Sequence, residues 1–367
     1  MKRIAIKDIC EVYDGLHATP IKTESGPIYL GIDAVTEDGI LDSSRFVHLS
    51  EEDYEKWTKK VTPQENDIVF SYEATLGRYA MIPANFIGCL GRRLAIVRVI
   101  SKEINVKWLY YYFKSPEWTS FIRNQIVKGS TVDRISIENF PEYTIPSVSL
   151  DEQNKIVAVL DRIDRKIVNN NKINDYLEQQ ALLIFKHMFP NISYGLNHIG
   201  NYITPKRGKA LLSKDAIPGC IPVIAGGVVP ATYHNKSNTV APVLTISGSG
   251  ANAGHINIWH DSVWSSDSSY IDSNMTANVY FWYAFLKSRQ QDIFDMQTGS
   301  AQPHIYPKHI AGLSICDIDN TKVESYTSQV TPLFSKAGAN IRENNELKQL
   351  RDWLLPMLMN GQATIED

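Results

Sequence analysis

The sequence predicts an α+β fold: two pseudo-symmetric mixed α/β domains separated by two long helices that pair as an antiparallel coiled coil. Three observations carry this expectation. Over Asp151–Phe189 the positions Ile156, Leu160, Ile163, Ile167, Asn170, Asn174, Leu177, Ala181, Ile184 and Met188 step by four and three residues in turn. That 3.5-residue rhythm marks a coiled-coil seam. Adding 170 to each number gives Tyr326, Val330, Leu333, Ala337, Asn340, Asn344, Leu347, Arg351, Leu354 and Leu358. Thr321–Met359 therefore repeats the seam without a gap, both central asparagines included, with Arg351 the one awkward member. The offset also carries upstream, where Gly129, Ser130 and Ile135 fall on Gly299, Ser300 and Ile305. A two-fold internal repeat of about half the chain follows. It places domains at 1-150 and 191-318 and helical spacers at 151-190 and 319-367.

The elements are read in chain order. In the first domain PIYLGIDAV, DIVFSY and RRLAIVRVI read as strands bounded by Gly, Pro and Asp. The stretch from Val106 to Ile126 reads as two helical pieces broken at Ser115-Pro116. Ser149-Leu150-Asp151-Glu152 is a capping box opening the first long helix, and Pro190 ends it. At ~1.5 Å per residue that helix spans roughly 58 Å. In the second domain LNHIGNYI parallels IAIKDICEV, and IPVIAGG parallels PIYLGID. VLTISGSGANAG parallels IVFSYEATLG, with Ala251 and Gly254 matching Ala74 and Gly77. NVYFWYAFLKS parallels NVKWLYYYFKS closely, while the loops between these parts differ in sequence and charge. In the second long helix Pro332 predicts a kink or a late start, Pro356 a loosened end, and Gly361 the stop.

Bulk composition excludes some classes. No apolar run reaches the ~18 residues that span a membrane, and the N-terminus lacks a signal-peptide pattern. Four scattered cysteines (Cys10, Cys89, Cys220, Cys316) read as reduced thiols of a cytoplasmic protein. The net charge of -3 gives no overall attraction to nucleic acid, so any such surface must arise from local clustering. There is no Asn/Asp-Pro-Pro-Tyr/Phe methyltransferase loop and no Walker lysine. Gly248-Ser249-Gly250 with Gly254 reads as a tight loop rather than a dinucleotide fingerprint. Asp164-Arg165-Lys166 has nuclease-like spacing but sits on a helix flank and reads as a solvated charged face. His255 with His260, and His304 with His309, lack a third ligand for zinc. No cofactor is expected.

With these parts in place, IPSVSLDEQNKIVAVLDRIDRKI resembles the central conserved region of type I restriction–modification specificity subunits. LKQLRDWLLPMLMNGQ resembles their C-terminal conserved region. The order domain, helix, domain, helix matches as well, so the resemblance covers the whole chain. It implies a non-catalytic reader of double-stranded DNA. Each target-recognition domain reads one part of a split target, and the helices set the distance between the parts. The helical faces dock two methyltransferase (modification) subunits, which carry S-adenosylmethionine and the adenine chemistry, and restriction subunits with ATP-driven translocation can join. The competing readings are a non-enzymatic two-headed protein-binding scaffold and an enzyme with a cryptic site. Steeply salt-dependent DNA affinity separates the first reading from both.

Candidate contacts come from residue chemistry. The loop Gly129-Ser130-Thr131-Val132-Asp133-Arg134 and its copy Gly299-Ser300-Ala301-Gln302-Pro303-His304 combine close backbone approach with hydroxyl, amide and guanidinium donors. Lys308 follows the second loop. Lys206, Arg207 and Lys209, with Lys214, form a basic cluster suited to phosphates, and Arg78, Arg92 and Arg93 are the first domain's analogues. Their ordinary alternatives are packing loops, solvated turns and arginines paired with carboxylates. Asn170, Asn174, Asn340 and Asn344 sit where apolar residues belong, which fixes register at a cost in stability. The antiparallel pairing puts Asn170 beside Asn344 and Asn174 beside Asn340, giving an elongated molecule with one reading head at each end.

Overall fold

A computed structural model describes residues 2–129, 132–299 and 302–365. The chain divides into two compact units, Met1–Arg165 with Leu347–Asp367, and Lys166–Glu346. The first contains β1 (Arg3–Ala5), β2 (Cys10–Asp14), β3 (Thr23–Leu30), β4 (Val47–His48), α1 (Glu51–Trp57), β5 (Ile68–Ser71), β6 (Tyr79–Met81), β7 (Gly88–Leu90), β8 (Leu94–Val99), α2 (Val106–Phe113), α3 (Pro116–Asn124), β9 (Ile126–Val127), β10 (Arg134–Ile135) and β11 (Thr144–Pro146). Helix α4 (Leu150–Met188) follows. The second unit adds β12 (Asn197–His198), β13 (Lys206–Arg207), β14 (Ile221–Ile224), β15 (Thr232–His234), β16 (Val243–Ser247), β17 (Ile256–Trp259), β18 (Trp264–Ser265), β19 (Ser268–Asp272), α5 (Val279–Ser288), α6 (Gln290–Asp295), α7 (Pro307–Ala311) and β20 (Ser314–Ile315). The chain closes with α8 (Asn320–Met359).

The internal repeat is a repeat of topology. One unit has a four-stranded sheet in the order β2-β8-β5-β6 and a three-stranded sheet in the order β4-β3-β7; the other has β13-β19-β16-β17 and β15-β14-β18. In each three-stranded sheet the central strand runs parallel to one neighbour, β3 to β7 and β14 to β18. The inner strands β5 and β16 are buried along their whole length, which is why they show no apolar–polar alternation. Helix α2 is cut off from α3 as the sequence predicts. Pro116 occupies the first turn of α3, and Ser115 Oγ accepts the Trp118 N–H at 3.2 Å. Trp118 then seals the core, its Nε1 donating to the Tyr79 hydroxyl at 2.7 Å.

Both long helices form. Ser149 Oγ accepts the Glu152 N–H at 3.3 Å, the serine half of the capping box. Asp319 caps α8 through the N–H groups of Thr321 and Lys322. Pro332 neither delays nor interrupts α8, which starts at Asn320 and runs to Met359. Its missing N–H costs one backbone bond, yet buried Val330 and Phe334 hold the segment on either side, with Tyr280 stacked on Phe334 at 4.4 Å. Pro356 is likewise accommodated, and Gly361 terminates the helix with φ +74° while Ala363 N–H reaches back to Met357 O at 3.0 Å. Every expected seam position is buried or half-buried. Within the first unit Arg351 is no misfit, because Nη1 donates to Asp164 Oδ1 at 2.9 Å and the Tyr111 hydroxyl donates to Asp164 Oδ2 at 2.7 Å.

Within the second unit the asparagines meet across the seam. Asn170 Nδ2 donates to Asn344 Oδ1 and to Glu343 Oε2, both at 2.8 Å. Asn344 Nδ2 donates to Asn171 Oδ1, and Asn340 Nδ2 to Asn174 Oδ1, again at 2.8 Å. Numbers rise on one helix as they fall on the other, so the pairing is antiparallel.

A second contact in this unit makes stability pH-dependent. His260 packs against Phe334 at 5.9 Å, and a Cβ on Gly338 would lie 2.7 Å from the His260 Cβ. The His260 Nδ1 is buried with no hydrogen-bond partner among the described residues. Burial pushes its pKa down to about 4, with Asp261 opposing and Arg342 assisting. The folded state then resists a proton that the unfolded chain takes up near its ordinary value of 6.5. Below that value the unfolded state holds more protons, so stability is full above pH 6.5 and is lost as pH falls toward 4. The loss is expected to be on the order of 2–3 kcal/mol. Urea unfolding at pH 7 and pH 4 checks this; His260→Phe should flatten the difference, and an equal acid loss in that variant would refute the assignment.

Candidate nucleic-acid interface

In each domain the loop after the short helices meets the end of the buried central strand. In the first, Tyr72 O accepts the Ile135 N–H at 2.7 Å and Glu73 bridges Arg134. In the second, Gly248 O accepts the Ile305 N–H at 3.1 Å and Ser249 bridges His304. The same backbone corner is thus built twice with different side chains. The following turn needs a left-handed residue, Ala74 at φ +66° in one copy and Gly250 at φ +82° in the other. The sequence match of Ala251 with Ala74 is therefore off by one. Gly254 does take the place of Gly77, since their N–H groups bond Ser247 O and Ser71 O at 2.8 and 3.0 Å; the second turn simply holds one more residue.

A charged residue completes each corner. Tyr72 N–H bonds Arg93 O at 3.1 Å and Gly248 N–H bonds Asp267 O at 3.0 Å, which makes Arg93 and Asp267 counterparts. Arg93 pairs with Glu73 at 3.8 Å. Asp267 accepts both the Arg207 guanidinium and the Ser249 hydroxyl. The structure therefore gathers Arg93, Glu73 and Arg134 in one domain, and Arg207, Asp267, Ser249 and His304 in the other. Beside the first corner, Tyr72 Oη lies 3.0 Å from His17 Nε2, which lies 3.3 Å from Asp14 Oδ2, with Lys60 also on Asp14. Burial by itself raises the Asp14 carboxyl, but Lys60 and His17 hold it below the ordinary carboxylate range.

The other expected residues are placed as follows. Arg134, Gln302, Lys206 and Lys209 are exposed, and the three cations among them have no ion pair among the described residues. His304 is half-buried and stacks on Tyr306 at 5.9 Å, with the exposed Lys308 ammonium over the same ring. Gly129 and Gly299 are required by the loops, since a Cβ would lie 2.2 Å from Val132 O and 2.7 Å from Gln302 O respectively. Arg92 is exposed and its backbone N–H donates to the Tyr29 hydroxyl at 3.2 Å. Arg78 pairs with Glu37 at 3.1 Å and donates to Val35 O at 3.3 Å. Ser130, Thr131 and Ser300 lie outside the described residues. Sequence reading missed Glu73, Asp267 and Ser249. Glu73 and Ser249 share one signal, their position just past the inner strands β5 and β16; Asp267, in the turn before β19, has none.

Residues 1–179 match the family model of the type I restriction modification DNA specificity domain. The type I restriction enzyme MjaIX specificity subunit of Methanocaldococcus jannaschii is 24% identical over 408 residues, covering 99% of this chain and 93% of that protein. A putative type I restriction enzyme specificity subunit of Haemophilus influenzae is 27% identical over 120 residues, 32% of this chain and 29% of that one. The crystal structure of a type I restriction-modification system S subunit from M. genitalium aligns over 98% of this chain and 96% of its own, with a TM-score of 0.57 at 19% identity, a likeness of fold.

Proposed function

We infer, since the chain belongs to the type I restriction–modification specificity-subunit family, that it reads a split DNA target, one part with each domain, and seats two methyltransferase subunits on its helices. The chain is the DNA-recognition, non-catalytic component of its system, and DNA and the system's other subunits are its partners. The observation that carries the two-part reading is the duplicated corner. One backbone frame presents Arg134, Glu73 and Arg93 in one copy and His304, Ser249 and Asp267 in the other. A frame held while its side chains differ suits two readers of different base pairs. In this reading residues 1-150 and 191-318 are the target-recognition domains, 151-190 and 319-367 the spacers, and the asparagine layer sets helix register. Exposed Arg134 and Gln302 contact base edges, and Lys206, Lys209 and Lys308 contact phosphates. Restriction subunits bind the assembled methyltransferase.

The test is to express the chain with the methyltransferase encoded beside it and map methylated adenines across a genome. A single motif in two parts separated by a fixed gap is expected. Scattered or absent methylation would overturn the reading.

A further inference from the structure

The turn leading from the three-stranded to the four-stranded sheet differs between the domains in length and in charge. Gly91 N–H bonds Leu30 O at 2.9 Å and Ser266 N–H bonds Ile224 O at 2.7 Å, so these two residues correspond. Gly15 N–H bonds Leu94 O at 2.9 Å and Gly208 N–H bonds Ser268 O at 2.8 Å, so Leu94 and Ser268 correspond as well. Between these anchors the first domain has two residues, Arg92 and Arg93, where the second has only Asp267. The extra residue is absorbed by left-handed backbone at Arg93, φ +73°, a conformation a non-glycine residue adopts at a cost.

That strained step separates the two guanidiniums. Arg93 turns to Glu73. Arg92 is left exposed, with its backbone pinned by the Tyr29 hydroxyl and with no ion pair among the described residues. It lines a cleft of about 320 Å³ together with Lys22, Tyr29, Asp33, Arg45 and Arg93. Arg45 is occupied by Asp42 at 3.0 Å and by Asp33 O at 3.1 Å. Lys22, like Arg92, is exposed without an ion pair among the described residues. Two unpaired cations on one open cleft, opposed by the single lining carboxylate of Asp33, suit an anion of a phosphodiester's size. At the corresponding turn of the second domain a carboxylate stands in place of the two arginines and pairs with Arg207, so this particular cation pair has no counterpart there.

Resting on the DNA-reading function above, we propose that Lys22 and Arg92 form a phosphodiester clamp that the first domain has and the second lacks. The clamp adds affinity and no sequence information, so it acts equally on every DNA that enters the first domain. Neither residue belongs to the duplicated corner that faces the bases in that reading.

The experiment uses the full chain assembled with its methyltransferase, a duplex carrying the mapped motif, and a scrambled duplex. Lys22→Gln with Arg92→Gln is expected to weaken binding to both duplexes alike, by roughly 10- to 100-fold near 0.1 M salt. The slope of log affinity against log salt should become shallower by about one to two. The methylated motif should not change. Arg92→Lys should restore most of the slope, because a phosphate accepts an ammonium where a bidentate base contact does not. An unchanged slope in the double variant, or an altered motif, overturns the clamp. Failure of Arg92→Lys to recover the slope does the same and identifies a base contact instead. If the parent complex itself does not prefer the motif duplex over the scrambled one, the DNA-reading function falls too, so the two failures are distinguishable.

Discussion

Gln302→Ala combined with His304→Ala is expected to relax one half of the methylated motif and leave the other half intact, and Arg134→Ala with Thr131→Ala to do the converse. The expectation comes from the corner that both domains share. Arg134 and His304 hold the same place in the strand pairing, bridged to Glu73 and Ser249, but present a guanidinium in one domain and an imidazole in the other. Each bidentate base contact is worth ~1–3 kcal/mol of discrimination, so losing one lowers selectivity at its base pair by roughly 10- to 100-fold. The backbone of each corner stays in place, because it is held by main-chain bonds such as Ile135 N–H to Tyr72 O and Ile305 N–H to Gly248 O. Motif mapping of each variant complex, beside binding to the parent duplex, checks the outcome. A uniform loss over all sequences, with both half-motifs intact, would make these residues backbone contacts instead.

The long helices were legible because a 3.5-residue rhythm persists over ten positions and recurs at one offset. Few other structures impose that pattern. The break before Pro116 was legible for a local reason too, since Ser-Pro sets both the cap and the first turn. What the rhythm could not show is how a misfit is satisfied. Arg351 stood out in the seam, but its partner Asp164 lies on the flank of the other helix and is oriented by Tyr111 from a third segment. The corner was half legible for the same reason. The loops at 129–134 and 299–304 stood out through the repeat. Glu73 and Asp267 did not, since partners such as Arg207 and Asp267 come together only once the sheet forms. Two local rules were overruled by packing or insertion. Pro332 fits inside α8 because aromatic neighbours hold the helix there, and one extra residue in the second turn hides the true counterpart of Ala74.

The asparagine layer should show the largest gap between single and paired substitution. Asn344→Leu removes the acceptor for Asn170 Nδ2 and the donor to Asn171 Oδ1, while Asn170 stays at 1% exposure with Glu343 as its remaining partner. Stripping a buried amide in this way costs about 1–3 kcal/mol, and overpacking by the larger side chain adds to it. Asn170→Leu with Asn344→Leu takes away both partners and supplies the apolar pair the seam otherwise calls for. It should recover that loss and equal or exceed the parent in stability. Asn340→Leu should cost less than Asn344→Leu, because Asn340 Oδ1 is already buried without a partner among the described residues and its removal relieves a penalty. Urea unfolding of the full chain ranks the four proteins. The doubly substituted chain should also unfold with a shallower slope, since a seam left with only the Asn340–Asn174 pair admits slipped registers that bury less surface. If Asn344→Leu alone matched the double substitution in stability, the amide pair would contribute nothing and the register role would fall to the flanking domain contacts.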